Sequence, residues 1–596
     1  MRSDLPGARF YAACFLIAAA MQLIASGGYT HVWQGGLVDP DSYMRLVRIA
    51  QGLKLGHLTN MVRRDDSGAP LLIEWSRLFD AAIVALAAPF APVFGWHAAL
   101  RWAGIATAPL AAGWLGAGLA FAAAPLAERR FLLAAPILAP LLPGIHGFET
   151  LGMIHYHIAM LAAAAVALGW TLRAANGGAR AGIAAGLAAG IAFWVMPETM
   201  PFVLLGFVAL GWAWFFRPLG RTLAAVGAAL VVTTALGLWI DPPHGGIWVA
   251  SLDRLSIVYV ALALAVAAAG GWLAWLDRRA LPAAWRRGLG AVGALLCFAV
   301  WLAFWPDVAR GPFALLPADQ LHLFFGGMTE TQPPAGLGKA ALVLGPGIAG
   351  LLIAAVFAWR ARRDPLPAGV WTISSLGQAL GVGLSARMII FQMFPTGFAA
   401  ALLPVALSRA SAHFAARPQR AAAARIGLVG LVLALPYLIA IVALRAAEKK
   451  PPPHADPSCA LRHIATLLAP AAGQVVLSDV NAVPELLYRT DIIGVGSLYQ
   501  HGVDGFLRAR AAWRAASAGP APPAAFTATG ARFVLFCPTW NSVPGIVAGA
   551  GSGSLWFLLR AGRIPPWLHL IGTQAASGYR LYRLVPARAA SGAGLR

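Results

Sequence analysis

A polytopic α-helical membrane protein with a small C-terminal α/β domain is the fold class this sequence predicts, on three observations. Hydrophobic residues make up 59% of the 596 residues and charged residues only 11%. Apolar runs near the roughly 20 residues that cross a bilayer recur along most of the chain. The arginines gather in short clusters at alternate loops, as positive-inside topology requires. The formal net charge of +22 would otherwise suggest nucleic acid. No single basic face studded with aromatic residues is present, so a nucleic-acid partner is excluded.

The first apolar segment runs from about Phe10 to Ser26 behind Arg2 and Arg9, which sets the N-terminus in the cytoplasm. It lacks a convincing cleavage site and many spans follow it, so it reads as a retained helix rather than a signal peptide. An outer loop over about 27–95 follows, ending in the short apolar stretch Ala81 to Phe94, broken by Pro89 and Pro92. That stretch reads as a surface or re-entrant helix. The remaining spans alternate between inner arginine clusters, such as Glu128-Arg129-Arg130, Arg278 to Arg287 and Arg360 to Arg363, and outer loops. The count comes to about thirteen spans, with a long and mobile outer loop over 306–340.

The membrane part takes residues 1–448, and past Lys449 the composition shifts. A Pro451-Pro452-Pro453 linker leads to strand-like runs at Gln474 to Leu477 and Arg532 to Phe536, so 449–596 reads as a small α/β domain outside the membrane. Four cysteines are too few for a disulfide framework. Cys14 and Cys297 lie in apolar segments, and the presence of Cys459 and Cys537 in the tail gives no ground for a bridge. No tandem repeat is evident.

Acids are scarce, so those at the outer ends of spans carry the search for a site. In the first outer loop, Gly36 to Arg45 includes Asp39-Pro40-Asp41, a pair that could hold a divalent cation against a phosphorylated headgroup. The alternative is a helix start capped by Asp41 or Ser42. In the second, His146-Gly147-Phe148-Glu149 leads to His155-Tyr156-His157, whose histidines could ligate a borderline metal or anchor at the headgroup level. Glu198 either faces a site or sits in the first turn of the next helix. Glu330 lies in Met328-Thr329-Glu330-Thr331-Gln332-Pro333-Pro334, on a loop able to move as a lid must. Arg387 stands alone between two apolar segments. Its desolvation is costly unless an anion pairs with it, or it snorkels to the headgroups.

Taken together, Asp39-Pro40 with Tyr43 and Arg45, Gly152 to His157, and Met328 to Pro333 resemble the three acidic signatures of the oligosaccharyltransferase catalytic-subunit family. The order, spacing and thirteen-span plan are similar over about Phe10 to Leu444, and Glu330-x-Gln332-Pro333 is the most specific piece. Arg387, followed by Met388 and Pro395, resembles the family arginine that contacts the donor's phosphates. Two departures stand out. His155 occupies the position where the second signature usually begins with aspartate, so an imidazole replaces a carboxylate or Glu149 swings in. Ser478-Asp479-Val480-Asn481 stands where the family carries Trp-Trp-Asp, which reads the hydroxyl of the acceptor sequon, and both tryptophans are missing. The wider GT-C glycosyltransferase superfamily is therefore the assignment the resemblance carries.

That resemblance implies an enzyme of the bacterial inner membrane. It would transfer a sugar or oligosaccharide, with inversion, from a polyprenyl phosphate or pyrophosphate donor to a glycan, lipid or protein acceptor in the periplasm. It implies a divalent metal, Mn²⁺ or Mg²⁺, on Asp39, His155, His157 and Glu330, with Asp41, Glu149, Glu198 and Asp479 as accessory candidates. Asp39 would orient or deprotonate the acceptor, while the metal and Arg387 neutralise charge on the departing phosphate. A transporter or lipid flippase would instead carry ionisable residues near span centres. A non-catalytic scaffold of the same fold is the third reading.

Overall fold

The computed structural model describes residues 6–311, 323, 326, 328–447, 459–540 and 546–585. The proline linker expected at Pro451 to Pro453, and much of the loop expected over 306–340, lie outside the described residues. By contact the chain divides into two units. One takes the described residues of Met1–Val32, Glu74–Ala314 and Glu330–Glu448; the other takes those of Trp33–Ile73, Leu315–Thr329 and Lys449–Arg596. Trp33–Ile73, the middle of the first outer loop, thus belongs with the C-terminal segment, although its place in the sequence groups it with the membrane part.

The first unit is a multi-pass membrane protein fold. Among its described residues nine helices are long and apolar enough to cross a membrane, from Ala8–Ala25 to Pro418–Arg445. Further helices stand at expected spans over Ala179–Val195, Met200–Trp214 and Pro365–Arg387. The span expected over Phe131 to Leu142 is a series of short pieces, Arg129–Leu132, Ala134–Leu138 and Ala139–Leu141. Pro136 and Pro140 cause this, since each removes an amide donor and crowds the preceding turn. The stretch Ala81 to Phe94, expected as one surface or re-entrant helix, is divided between the helix Arg77–Ala87, where the Ser76 hydroxyl accepts from the Leu78 N–H at 3.2 Å, and the start of the next helix. Ala91–Ala123 follows, broken at Gly95, whose φ of +77° a glycine adopts without a Cβ clash, so the straight span starts near Trp96.

Small residues let these helices approach closely. Gly182, Gly186 and Gly190 form an i, i+4, i+8 stripe, and a Cβ at any of them would strike Thr222, Val226 or Thr233 on Gly220–Ile240. The helix ends also pair as the arginine alternation requires. At ends expected outside, the Gln22 amide donates to the Glu149 carbonyl at 2.5 Å, and the Leu151 N–H to the Ser26 hydroxyl at 2.7 Å. At ends expected inside, the Trp214 indole and the Gly220 N–H donate to Asp277 at 2.8 and 2.7 Å, and the Glu128 N–H to Ser408 at 3.1 Å.

In the second unit, β1 (Met61–Val62) and β2 (Leu71–Leu72) form a small antiparallel hairpin. The remaining strands, β3 (Val475–Leu477), β4 (Ile493–Gly494), β5 (Phe533–Phe536), β6 (Leu568–Thr573) and β7 (Arg580–Leu584), make one sheet in the order β4-β3-β5-β7-β6. Pairing is parallel at β4-β3-β5 and antiparallel at β5-β7-β6. The all-buried Phe-Val-Leu-Phe of β5 marks it as the central strand. Trp513, Phe506, Phe526 and Tyr582 fill the core around it.

Polar contacts tie the first outer loop into this unit. The Arg64 guanidinium donates to the carbonyls of Thr490 and Leu487 at 2.6 Å and of Ile492 at 3.3 Å, and the Gly494 N–H donates to the Arg64 carbonyl at 2.8 Å. Asp65 accepts from the Ser497 hydroxyl, and Asp66 pairs with Arg508. Asp66 and Ser67 sit at φ +55° and +58°, a left-handed pair that costs about 1–3 kcal/mol per residue unless such contacts hold it. A disulfide joins Cys459 to Cys537, which the cysteine count had given no reason to expect.

Candidate functional site

The candidate residues fall in both units, and each group is built from its own surroundings. In the second unit Asp39 opens the helix Pro40–Leu55. Its Oδ1 accepts from the Ser42 N–H and the Ser42 hydroxyl, both at 2.8 Å, with Pro40 at the first helical position. The cap foreseen for Asp41 or Ser42 is therefore made by Asp39 itself. Asp41 is left to accept from the Tyr499 hydroxyl at 2.8 Å. Burial, with Asp41, Asp39 and Asp65 facing it, pushes that hydroxyl well above its ordinary range, so Tyr499 stays a proton donor to the carboxylates. Tyr43 accepts from the Leu37 N–H at 2.8 Å and from Arg489 at 3.2 Å, and Arg489 pairs with Glu485 at 2.6 Å. Tyr499 escaped the sequence reading because nothing local marks a lone tyrosine as the partner of a carboxylate 458 residues away.

Asp479 follows β3. Its carboxylate accepts from the Asn481 N–H at 3.0 Å and faces the Trp540 indole, and burial pushes it up to about 7. The two tryptophans absent from the sequence beside it are replaced in space by others. The Trp513 indole donates to the Ser478 carbonyl at 3.3 Å, and Trp513 and Trp540 meet edge to face at 5.4 Å. Both rings are buried, so they pack the end of the sheet rather than present a face.

In the first unit Glu149 lies in the loop after the short helix Pro143–His146 and is 1% exposed. Among the described residues neither carboxylate oxygen has a hydrogen-bond partner, and burial pushes the group well above the usual carboxylate range. His155 and His157 are buried nearby in sequence, with ring centroids 5.3 Å apart and His157 packed against Phe148 and Tyr156 at 4.7 and 4.5 Å. Glu198 occupies the 3-10 turn Pro197–Thr199 between two helices. Burial, with Glu330 and Asp253 facing it, raises it to about 7. Glu198 and Glu330 are thus brought together, along with Asp253, which sequence reasoning missed and which accepts from the Ser251 hydroxyl at 2.6 Å.

Two motifs distant in sequence are joined by backbone: the Ile389 N–H donates to the Gln332 carbonyl at 3.1 Å. That bond ties the Glu330 turn, Thr329–Thr331, to the residues just past Arg387. Arg387 ends the helix Pro365–Arg387, with its side chain on the surface of the protein. A buried clamp also went unread. Arg254 bonds Glu74 at 2.5 Å and also Asp241, while Asp241 accepts from Arg77 at 2.5 Å and from the Trp194 indole at 3.1 Å. Among the described residues no three His, Cys, Asp or Glu side chains stand together as a metal ligand set.

No protein-family model matches the chain, and no curated protein sequence does either. Solved structures do. The Archaeoglobus fulgidus oligosaccharyltransferase in its apo form matches with a TM-score of 0.62 at 14% identity, over 89% of this chain and 69% of that one. The chain shares the fold of this archaeal oligosaccharyltransferase. The same archaeal enzyme, tethered to an acceptor peptide containing the NVT sequon, matches with a TM-score of 0.66 at 13% identity, over 97% of this chain and 74% of that one. Its complex with Zn and sulfate matches with a TM-score of 0.59 at 13% identity, over 89% and 68% of the two chains. At 97% of this chain, the likeness of fold reaches beyond the membrane part, on which the sequence resemblance mostly rests.

Proposed function

We propose that this protein is a membrane glycosyltransferase that moves a sugar or oligosaccharide from a polyprenyl phosphate or pyrophosphate donor to an extracytoplasmic acceptor other than the Asn-x-Ser/Thr sequon. The observation that carries this reading is the fold likeness to the archaeal oligosaccharyltransferase over 89% or more of the chain; Asp39, Glu330 and Arg387 stand on the sequence motifs that resemble that family's. An archaeal structure of that fold holds an inhibitory peptide and a dolichol-phosphate, which supports a lipid-linked donor here.

In this reading Asp39 and Glu330 are the carboxylates transfer depends on, Asp39 orienting or deprotonating the acceptor. Arg387, with its charge exposed, meets the donor phosphate. A divalent metal, Mn²⁺ or Mg²⁺, would draw on Asp39, His155, His157 and Glu330. The described residues assemble no ligand set for it, so no step is derived through the ion. The buried setting of Trp513 and Trp540 supports an acceptor other than the sequon, since neither ring is offered to a peptide. The Cys459–Cys537 disulfide supports an oxidising compartment for the C-terminal segment. With the arginine pattern it favours a bacterial inner membrane, the N-terminus cytoplasmic and 449–596 periplasmic.

The test is a purified-protein assay with defined lipid-linked sugars, a panel of acceptors, and divalent metal removed and restored. Wild-type transfer surviving both Asp39→Asn and Glu330→Gln would rule the mechanism out. Efficient glycosylation of a sequon peptide would overturn the acceptor assignment.

A further inference from the structure

The arginine-rich ends of the helices hold a second arrangement that the transfer reading does not use. Arg409, near the end of Met393–His413, lies half-buried over two aromatic rings, 4.4 Å from the Phe357 centroid and 5.1 Å from that of Trp371. The two rings, contributed by Gly336–Arg360 and Pro365–Arg387, pack edge to face at 4.8 Å. Another cation, Arg360, in the last turn of its helix, lies in electrostatic reach of Arg409. No carboxylate pairs with either arginine among the described residues. Asp364, the acid between the two helices, accepts instead from the Leu366 N–H at 3.3 Å, capping the next helix.

Two like charges in electrostatic reach, one of them stripped of part of its water, repel each other without a counter-ion. The helix C-termini offset this in part. The Arg409 guanidinium carbon lies within 5.1 Å of both ring centroids, and a guanidinium held by ring faces keeps N–H donors for a planar or tetrahedral oxyanion. An arginine that merely snorkelled would point its donors at water rather than lie over two rings beside a second cation.

We propose that Arg409 and Arg360, above the Phe357 and Trp371 rings, bind the phosphodiester headgroup of an anionic membrane lipid. The apolar half of such a ligand has a place to lie: Leu352, Val356 and Trp359 are exposed at i, i+4 and i+7 of Gly336–Arg360, a stripe that runs up to Arg360. Basic recesses between membrane helices suit phosphate headgroups for these reasons.

The experiment uses the full chain, delipidated in detergent and then given phosphatidylglycerol or phosphatidylcholine, with bound lipid counted by native mass spectrometry. Wild-type protein should retain phosphatidylglycerol preferentially, and Arg409→Gln should lower that retention about fivefold or more, from about 1 kcal/mol per arginine at a headgroup. Arg360 is exposed, so Arg360→Gln leaves folding intact and should also lower retention, which keeps the proposal testable should Arg409→Gln fail to fold. Equal retention of the two lipids by wild type, or unchanged retention in Arg360→Gln, overturns the proposal. Displacement of the lipid by millimolar inorganic phosphate would make this a free-anion site and overturn the lipid assignment.

Discussion

Two groups of acids, one in each unit, are treated in opposite ways. In the second unit the carboxylates of the first outer loop are all bonded into local structure: Asp39 caps a helix, Asp41 holds Tyr499, Asp65 takes the Ser497 hydroxyl and Asp66 pairs with Arg508. In the first unit Glu149 is buried and, among the described residues, both its oxygens and one oxygen of Glu198 have no hydrogen-bond partner. Asp277, Asp241 and Glu74 there are bonded, the last two in the clamp around Arg254. A bonded carboxylate holds geometry, and its removal is felt by the fold. A buried carboxylate without partners adds no stability, and what keeps it in place is something other than packing.

The largest effect should come from breaking the clamp. Arg254 is 2% exposed, and Arg254→Ala would leave buried Glu74 without its arginine and Asp241 with Arg77 alone, a loss of about 3–5 kcal/mol. The contrasting variant is Glu149→Gln, whose folded stability should match or exceed wild type, since a neutral amide loses no bonded partner there. Thermal unfolding of the two purified variants checks both, and a Glu149→Gln protein as damaged as Arg254→Ala would break the comparison.

The disulfide comes next. It closes 78 residues of chain and holds the end of β5 to the start of the C-terminal segment, so replacing both Cys459 and Cys537 by Ser should cost about 2–4 kcal/mol. Protection of the β5 amides from hydrogen exchange should fall in the variant and in reduced wild type alike. Unchanged protection would show that the sheet alone holds that strand.

How far the sequence could be read follows from how local each signal is. Apolar run length is a property of neighbouring residues, and helices stand at most of the stretches it marks, with Pro136 and Pro140 accounting for the broken span. Of the sheet, β3 and β5 were legible as compact β-branched and aromatic runs. The two residues of β4, and β6 and β7 with their interspersed polar side chains, were not. Nor could local pattern reveal that Arg64 reaches Thr490, that Tyr499 reaches Asp41, or that Asp253 joins Glu198. Motif residues were found by their order along the chain; their partners depend on the fold.

Asp479 sharpens the comparison from the other side, as a buried acid in the second unit. Its folded pKa of about 7 lies above the 3.8 of an exposed aspartate. Stability from this group is therefore fully present below the lower value and is lost as pH rises through the higher one. At roughly 1.4 kcal/mol per unit, the loss between pH 5 and pH 7 is on the order of 2 kcal/mol. Asp479→Asn removes the titration, so the melting temperature of wild type should fall relative to the variant over that interval. Parallel curves would mean that Asp479 is charged at no cost, and so paired.

The smallest stability effect, and the most informative, belongs to Asp39, which serves both as a helix cap and as the proposed catalytic carboxylate. Capping needs only an oxygen that accepts from the Ser42 N–H, and Asn supplies one nearly as well as Asp. Asp39→Asn should therefore unfold within a few tenths of a kcal/mol of wild type, while Asp39→Ala loses about 1 kcal/mol. Transfer separates the same variants differently, because orienting or deprotonating an acceptor needs the negative charge that Asn lacks. Both variants should lose transfer, though only the alanine loses stability. If Asp39→Asn kept both its melting temperature and its activity, Asp39 would be a cap and nothing more, and the bonded acids of the first outer loop would all be structural.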